Sequence, residues 1–258
     1  METPDPTQHV PLPPAEVAKD SVINMRMSSK ARRIFWRFQE PLETSVFVLP
    51  ADLDPDGPRE AYFQKTDDGH ELHAVSQEPL TDKNLTSIAV KSLELDDWPN
   101  SFYELHYEHD DLGSEDEDEN DEQDEDAQWK CSGCGEMSPK KHEPLIVKAS
   151  EKPYVTVHDF ITAVYPWLMS LRDEMEQART ELEKPPLGDN MLVNAVDPRF
   201  VDLEDEQKWL AHGRRLLEDG YVFDVAKGFH VPKAKRSSEE GRRTHLPREN
   251  ARTRKLCQ

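Results

Sequence analysis

Two cysteines, Cys131 and Cys134, stand three positions apart in "WKCSGCGE". This is the form of a zinc knuckle: two thiolates reach one ion because the glycine after the second cysteine permits the turn. Zinc takes four ligands, and no second Cys-x-x-Cys is present. The nearest downstream histidine is His142, whereas His109 and His158 lie farther off and Cys257 is in the tail. The sequence therefore nominates Cys131, Cys134 and His142 as metal ligands, with one further group or a second copy of the chain completing the set. A redox dithiol needs a helix N-terminus or nearby cations to lower its pKa. Here an acidic run precedes the pair, and Pro139 and Pro144 interrupt the chain where that helix should follow.

The other chemical candidates are weaker. His158-Asp159 has the order of a phosphohydrolase metal pair, but no partner ligands can be placed. With Thr156, Asp159 reads more simply as a capping box. "HELH" at 70 to 73 lacks metalloprotease spacing, and no phosphate-binding loop or nucleophile elbow occurs. The expectation is a non-enzymatic interaction or scaffold protein. The alternative is a zinc-binding interaction module or a metal-dependent enzyme; the leading reading expects no cofactor, and the alternative expects zinc.

These residues must be positioned by a chain of 258 residues that is only 35% hydrophobic, 33% charged and of mean hydropathy −0.85. Such a composition predicts modest folded units among disordered segments. The net charge is −21. From Pro232 to Gln258 there are nine Lys/Arg against three Glu, so the tail carries +6 and the remainder −27. Between Asp110 and Asp126 there are twelve acids and no base. These blocks predict electrostatic contacts, either of the acidic run with the basic tail or with a protein partner of basic surface. Nucleic acid is disfavoured, since the body repels phosphate. Ser114 and Ser237 precede acids, a context some kinases prefer; phosphorylation would deepen the first block's charge and dilute the second's. No signal peptide or membrane-length apolar run is present, which predicts a cytoplasmic or nuclear protein without a membrane partner.

The fold class expected is α+β, divided as follows. Residues 1–20 are Pro-rich and disordered. Residues 21–109 form an antiparallel β-rich module. In it "RRIFWRF" puts Ile34, Trp36 and Phe38 on one face, and "SVFVL" follows as a strand. "AYFQKTDDGHELHAV" is a hairpin turning at Asp68-Gly69. "LTSIAVKSLEL" alternates, and "SFYELHYEH" reads as a strand with Tyr103, Leu105 and Tyr107 aligned. Residues 110–128 are an acidic disordered linker, 129–231 a smaller α+β module opening on the Cys-x-x-Cys, and 232–258 a basic disordered tail. In the second module "PLIVKAS" reads as a buried strand. A helix capped by Thr156 follows, with Phe160, Val164, Trp167, Leu168 and Leu171 at helical spacing and Pro166 either kinking it or starting another. "MLVNAV" is a strand, "DLEDEQKWLAHGRRLLEDG" a second helix stopped at Gly220, and "YVFDVAKGFHV" a last strand. The two modules could equally be one domain carrying the acidic run as an insertion.

The run "PLIVKASEKPYVTVHDFITAVYPWL", with its "VTVHDF" helix entry, resembles an uncharacterised family of fungal proteins carrying a small α+β domain, over about residues 144–230. What the resemblance implies is a fungal source and a folded C-terminal module; it assigns no functional residue.

Overall fold

The computed structural model describes residues 25–38, 41–66, 69–110, 128–218, 221–224 and 229–232. The segment 1–20, the acidic run 113–126, Ser114, the basic tail with Ser237, and Cys257 lie outside the described residues.

Alternation builds the first strands. After a 3-10 turn at Ala31–Arg33, β1 (Ile34–Trp36) pairs antiparallel with β2 (Val46–Val48), which follows the short helix α1 (Leu42–Ser45) and pairs with β3 (Glu60–Ala61). Ile34, Trp36 and Phe38 share one face and join the main core with Val46 and Val48. The opposite face sends Phe35, Phe47 and Leu49 into a second cluster with Leu192 and Trp209. Successive strand side chains point to opposite faces, so three residues serve two cores. The hairpin β4 (Phe63–Thr66) and β5 (Gly69–Leu72) pairs Thr66 with Gly69. Its turn therefore falls one residue earlier than expected, outside the described residues.

The stretch 87–110 is part strand and part helix. β6 (Ser87–Ser92) buries Ile88, Val90 and Ser92 in strict alternation, and α2 (Leu93–Asp110) follows directly. This corrects the strand expected at "SFYELHYEH". Leu95, Trp98 and Phe102 recur at three- and four-residue spacing and are buried, whereas Tyr103, Leu105 and Tyr107 are exposed. The helical period won because it buries the larger apolar set. Pro99 lies within the helix.

After residue 128 come β7 (Leu145–Lys148), α3 (Val157–Ser170), α4 (Arg172–Glu181), β8 (Met191–Asn194), β9 (Phe200–Asp205), α5 (Glu206–Glu218), and a hairpin of β10 (Tyr221–Asp224) with β11 (Phe229–Pro232). The main sheet has the order β7-β6-β9-β8, with β6 and β9 parallel and the outer pairs antiparallel. β6, from before the acidic run, thus lies between strands from after it, and one core takes residues from both sides. β7 is an edge strand that buries only Val147 and leaves Ile146 half exposed, not the buried strand its apolar run predicts. Just after β1 the chain runs beside β8: Arg37 bridges Leu192, and the Phe38 N–H donates to the Met191 carbonyl at 2.9 Å.

α3 is closed locally. Thr156 Oγ1 accepts from the Asp159 N–H, and Asp159 Oδ2 accepts from the Thr156 N–H at 2.9 Å. Phe160, Ile161, Val164 and Leu168 form its buried stripe. Pro166 is accommodated inside α3, and the helix breaks later, at Leu171. α4 is clamped to α2 by Arg179, whose Nη1 lies 2.9 Å from Glu94 Oε2 in a buried ion pair, and by Trp98 Nε1 donating to Glu181. No helix among the described residues is long and apolar enough to cross a membrane.

Candidate metal centre

Residues 129–138 fold as a tight β-turn ribbon. The Trp129 carbonyl accepts from the Ser138 N–H, Lys130 bridges Met137, and the Cys131 N–H donates to the Glu136 carbonyl at 2.8 Å. At the tip the Gly135 N–H returns to the Cys131 carbonyl, and Gly135 takes φ +78°, where a side chain would be strained. This turn points both sulfurs the same way.

They meet the last turns of α2. His106 Nδ1 lies 3.2 Å from Cys134 Sγ, and the Cys131 thiol donates to the His106 carbonyl at 3.9 Å. One ligand atom from each of His106, Cys131 and Cys134 lies within 4.8 Å of the others. A tetrahedral zinc with bonds of about 2.0 and 2.3 Å would hold nitrogen and sulfur about 3.5 Å apart. The observed separation is within a few tenths of an ångström of that. Cys131 is fully buried and Cys134 exposed. The imidazole is fixed on both sides: Phe102, one helical turn earlier, stacks on it at 4.1 Å, and Nε2 lies 3.5 Å from Glu136 Oε2. In the tautomer that puts the proton on Nε2, toward that carboxylate, the Nδ1 lone pair would face the sulfurs, the arrangement in which an outer carboxylate orients a ligating histidine. Trp129 packs edge-on against Phe102 and Tyr103, seating the ribbon on the helix.

The Glu136 backbone hydrogen bond pulls the Cys134 pKa down, but lost hydration, Cys131 and the Glu136 carboxylate outweigh it and leave the thiol above its ordinary value. Two thiolates side by side are unfavourable without a cation between them, and a bound metal reverses that preference.

The structure thus brings Cys131 and Cys134 together and replaces His142. His142 Nε2 instead lies 3.0 Å from Glu174 Oε2, next to α4. His106 was missed because 25 residues separate it from Cys131 and because a strand reading ignores its pairing with Phe102; a helical reading of the same residues puts them one turn apart. The side chain of His109 lies outside the described residues. His158 and Asp159 are used separately: His158 Nδ1 is 3.2 Å from the Tyr62 hydroxyl, while Asp159 caps α3. His73 pairs with Glu60 and accepts from the Val75 N–H.

No family model, curated protein or solved structure matches this chain, so its function must be argued from the centre itself.

Proposed function

We propose that this chain is a non-enzymatic interaction protein in which a zinc ion, held by His106, Cys131 and Cys134, staples the cysteine ribbon to α2. One observation carries the reading: three soft or borderline ligand atoms converge within 4.8 Å from two chain segments far apart in sequence. Burial of Cys131 and support of His106 by Phe102 and Glu136 favour a structural over a catalytic ion. Around the staple Leu105, Tyr107 and Met137 are about half exposed, an apolar rim suited to a protein partner. The acidic and basic blocks would add electrostatic selectivity to that contact.

Metal analysis and native mass spectrometry of the purified full chain test this. The expected result is one zinc per chain, lost in Cys131→Ser and in His106→Ala but retained in His142→Ala. Folded protein that neither carries nor takes up zinc overturns the reading. A chain that loses its zinc in His142→Ala but keeps it in His106→Ala overturns the ligand assignment.

A further inference from the structure

A second feature lies well away from the metal centre and shares no residue with it. A cavity of about 470 Å³ opens where β1, β8, the start of α3 and one face of α5 meet. Its volume is within the range of small-molecule sites. Aromatic and aliphatic side chains form most of the wall, among them Phe35, Phe160, Leu192 and Trp209. Phe35 and Trp209 are locked edge-to-face at 5.4 Å, so that side of the wall is preformed. Gly213 keeps α5 close to the loop opposite: a Cβ there would come within 3.1 Å of Pro55 Cγ.

The polar groups in the wall set the chemistry. Arg32 donates from Nε to the Met27 carbonyl at 3.1 Å, and Glu204 accepts from Asn194 Nδ2 at 3.0 Å. Cation and carboxylate are both engaged by the chain. Trp36 differs. It is 3% exposed, it belongs to the same wall, and its Nε1–H has no hydrogen-bond partner among the described residues. Buried donors are normally satisfied, and one that is not marks a place for an acceptor.

We propose that this cavity binds an uncharged, largely apolar molecule bearing one hydrogen-bond acceptor, such as a ring ketone, with Trp36 donating to that acceptor. A net charge on the ligand would gain nothing, since the wall already contains both signs.

Nile red, an uncharged planar aromatic with a ring carbonyl, is a suitable probe for the full chain. The expected result is saturable one-to-one binding with blue-shifted emission. Trp36→Phe keeps the ring, removes the donor, and should weaken binding about tenfold, the loss of roughly one hydrogen bond. Ala195→Trp, in the same wall, should abolish it. If that variant melts early, Val196→Trp, at a position 68% exposed, blocks the mouth without touching the core. Non-saturable binding, or saturable binding that survives both tryptophan substitutions, overturns the cavity assignment. Unchanged affinity in Trp36→Phe overturns the role given to the indole.

Discussion

The N-terminus of α3 and the cysteine ribbon are both held by short polar networks, but in opposite ways. At α3 every polar atom of the cap finds its partner in the chain: Asp159 accepts from Ser150 and from the backbone and hydroxyl of Thr156. Behind the cap a buried apolar stripe supplies the burial energy. The ribbon has backbone hydrogen bonds and Trp129 to seat it, and then three ligand atoms that face one another. The first region is complete as amino acids alone. On the proposed reading, the second is completed by an ion that amino acids do not supply. Order that rests on packing needs no ion; order that rests on a bound ion would follow metal supply.

Substitutions can break or sharpen this contrast. The largest effect should come from Phe160→Ala, which removes a ring that is only 3% exposed and should cost about 3–5 kcal/mol of stability in chemical denaturation, with or without a chelator. Next comes Glu136→Gln. It leaves all three ligands in place, yet loss of the carboxylate behind His106 should weaken zinc binding about 10–100-fold in a competition titration. Equal affinities in the two proteins would reduce Glu136 to a bystander.

Asp159→Asn should cost about 1–2 kcal/mol at neutral pH, the usual worth of a cap. Burial pushes the Asp159 pKa up, but the hydrogen bonds from Ser150 and Thr156 outweigh it and hold the carboxyl below its ordinary value. A carboxylate depressed in the folded state stabilises above its unfolded pKa, about 3.9, and that contribution is lost as pH falls through the lower folded value. The parent should therefore lose stability relative to Asp159→Asn below about pH 4. Parallel melting curves for the two across that range would remove the cap from the account. The smallest effect is expected for Gly135→Ala, where the positive φ costs about 1 kcal/mol. That strain should show as faster zinc release with little change in the global melt.

The difference also explains what could be read from the residues. α3 was legible because its cap spans four positions and its stripe repeats every turn, all within one short window. β1 and β6 were legible for the same reason at period two. α2 was not, because Tyr103, Leu105 and Tyr107 happen to alternate, while the helix is fixed by packing remote in sequence: Leu95 and Trp98 join the main core, and α2 lies against β9 and α4. The Cys-x-x-Cys announced a half-site. Its third candidate ligand could not be read, because His106 lies 25 residues before Cys131 and meets the pair only once α2 has formed. His142, near in sequence, is drawn off by Glu174.

That meeting has a consequence for the evolution of the chain. Where α2 ends and the ribbon begins, the described chain meets itself again, with the His106 carbonyl 3.9 Å from Cys131 Sγ. The contacts that close this junction lie outside the acidic stretch, so they do not depend on its exact order. Natural variants should accept insertions, deletions and reshuffled acids there while keeping the anchoring triad intact, and a reporter domain spliced into it should leave the surrounding architecture in place.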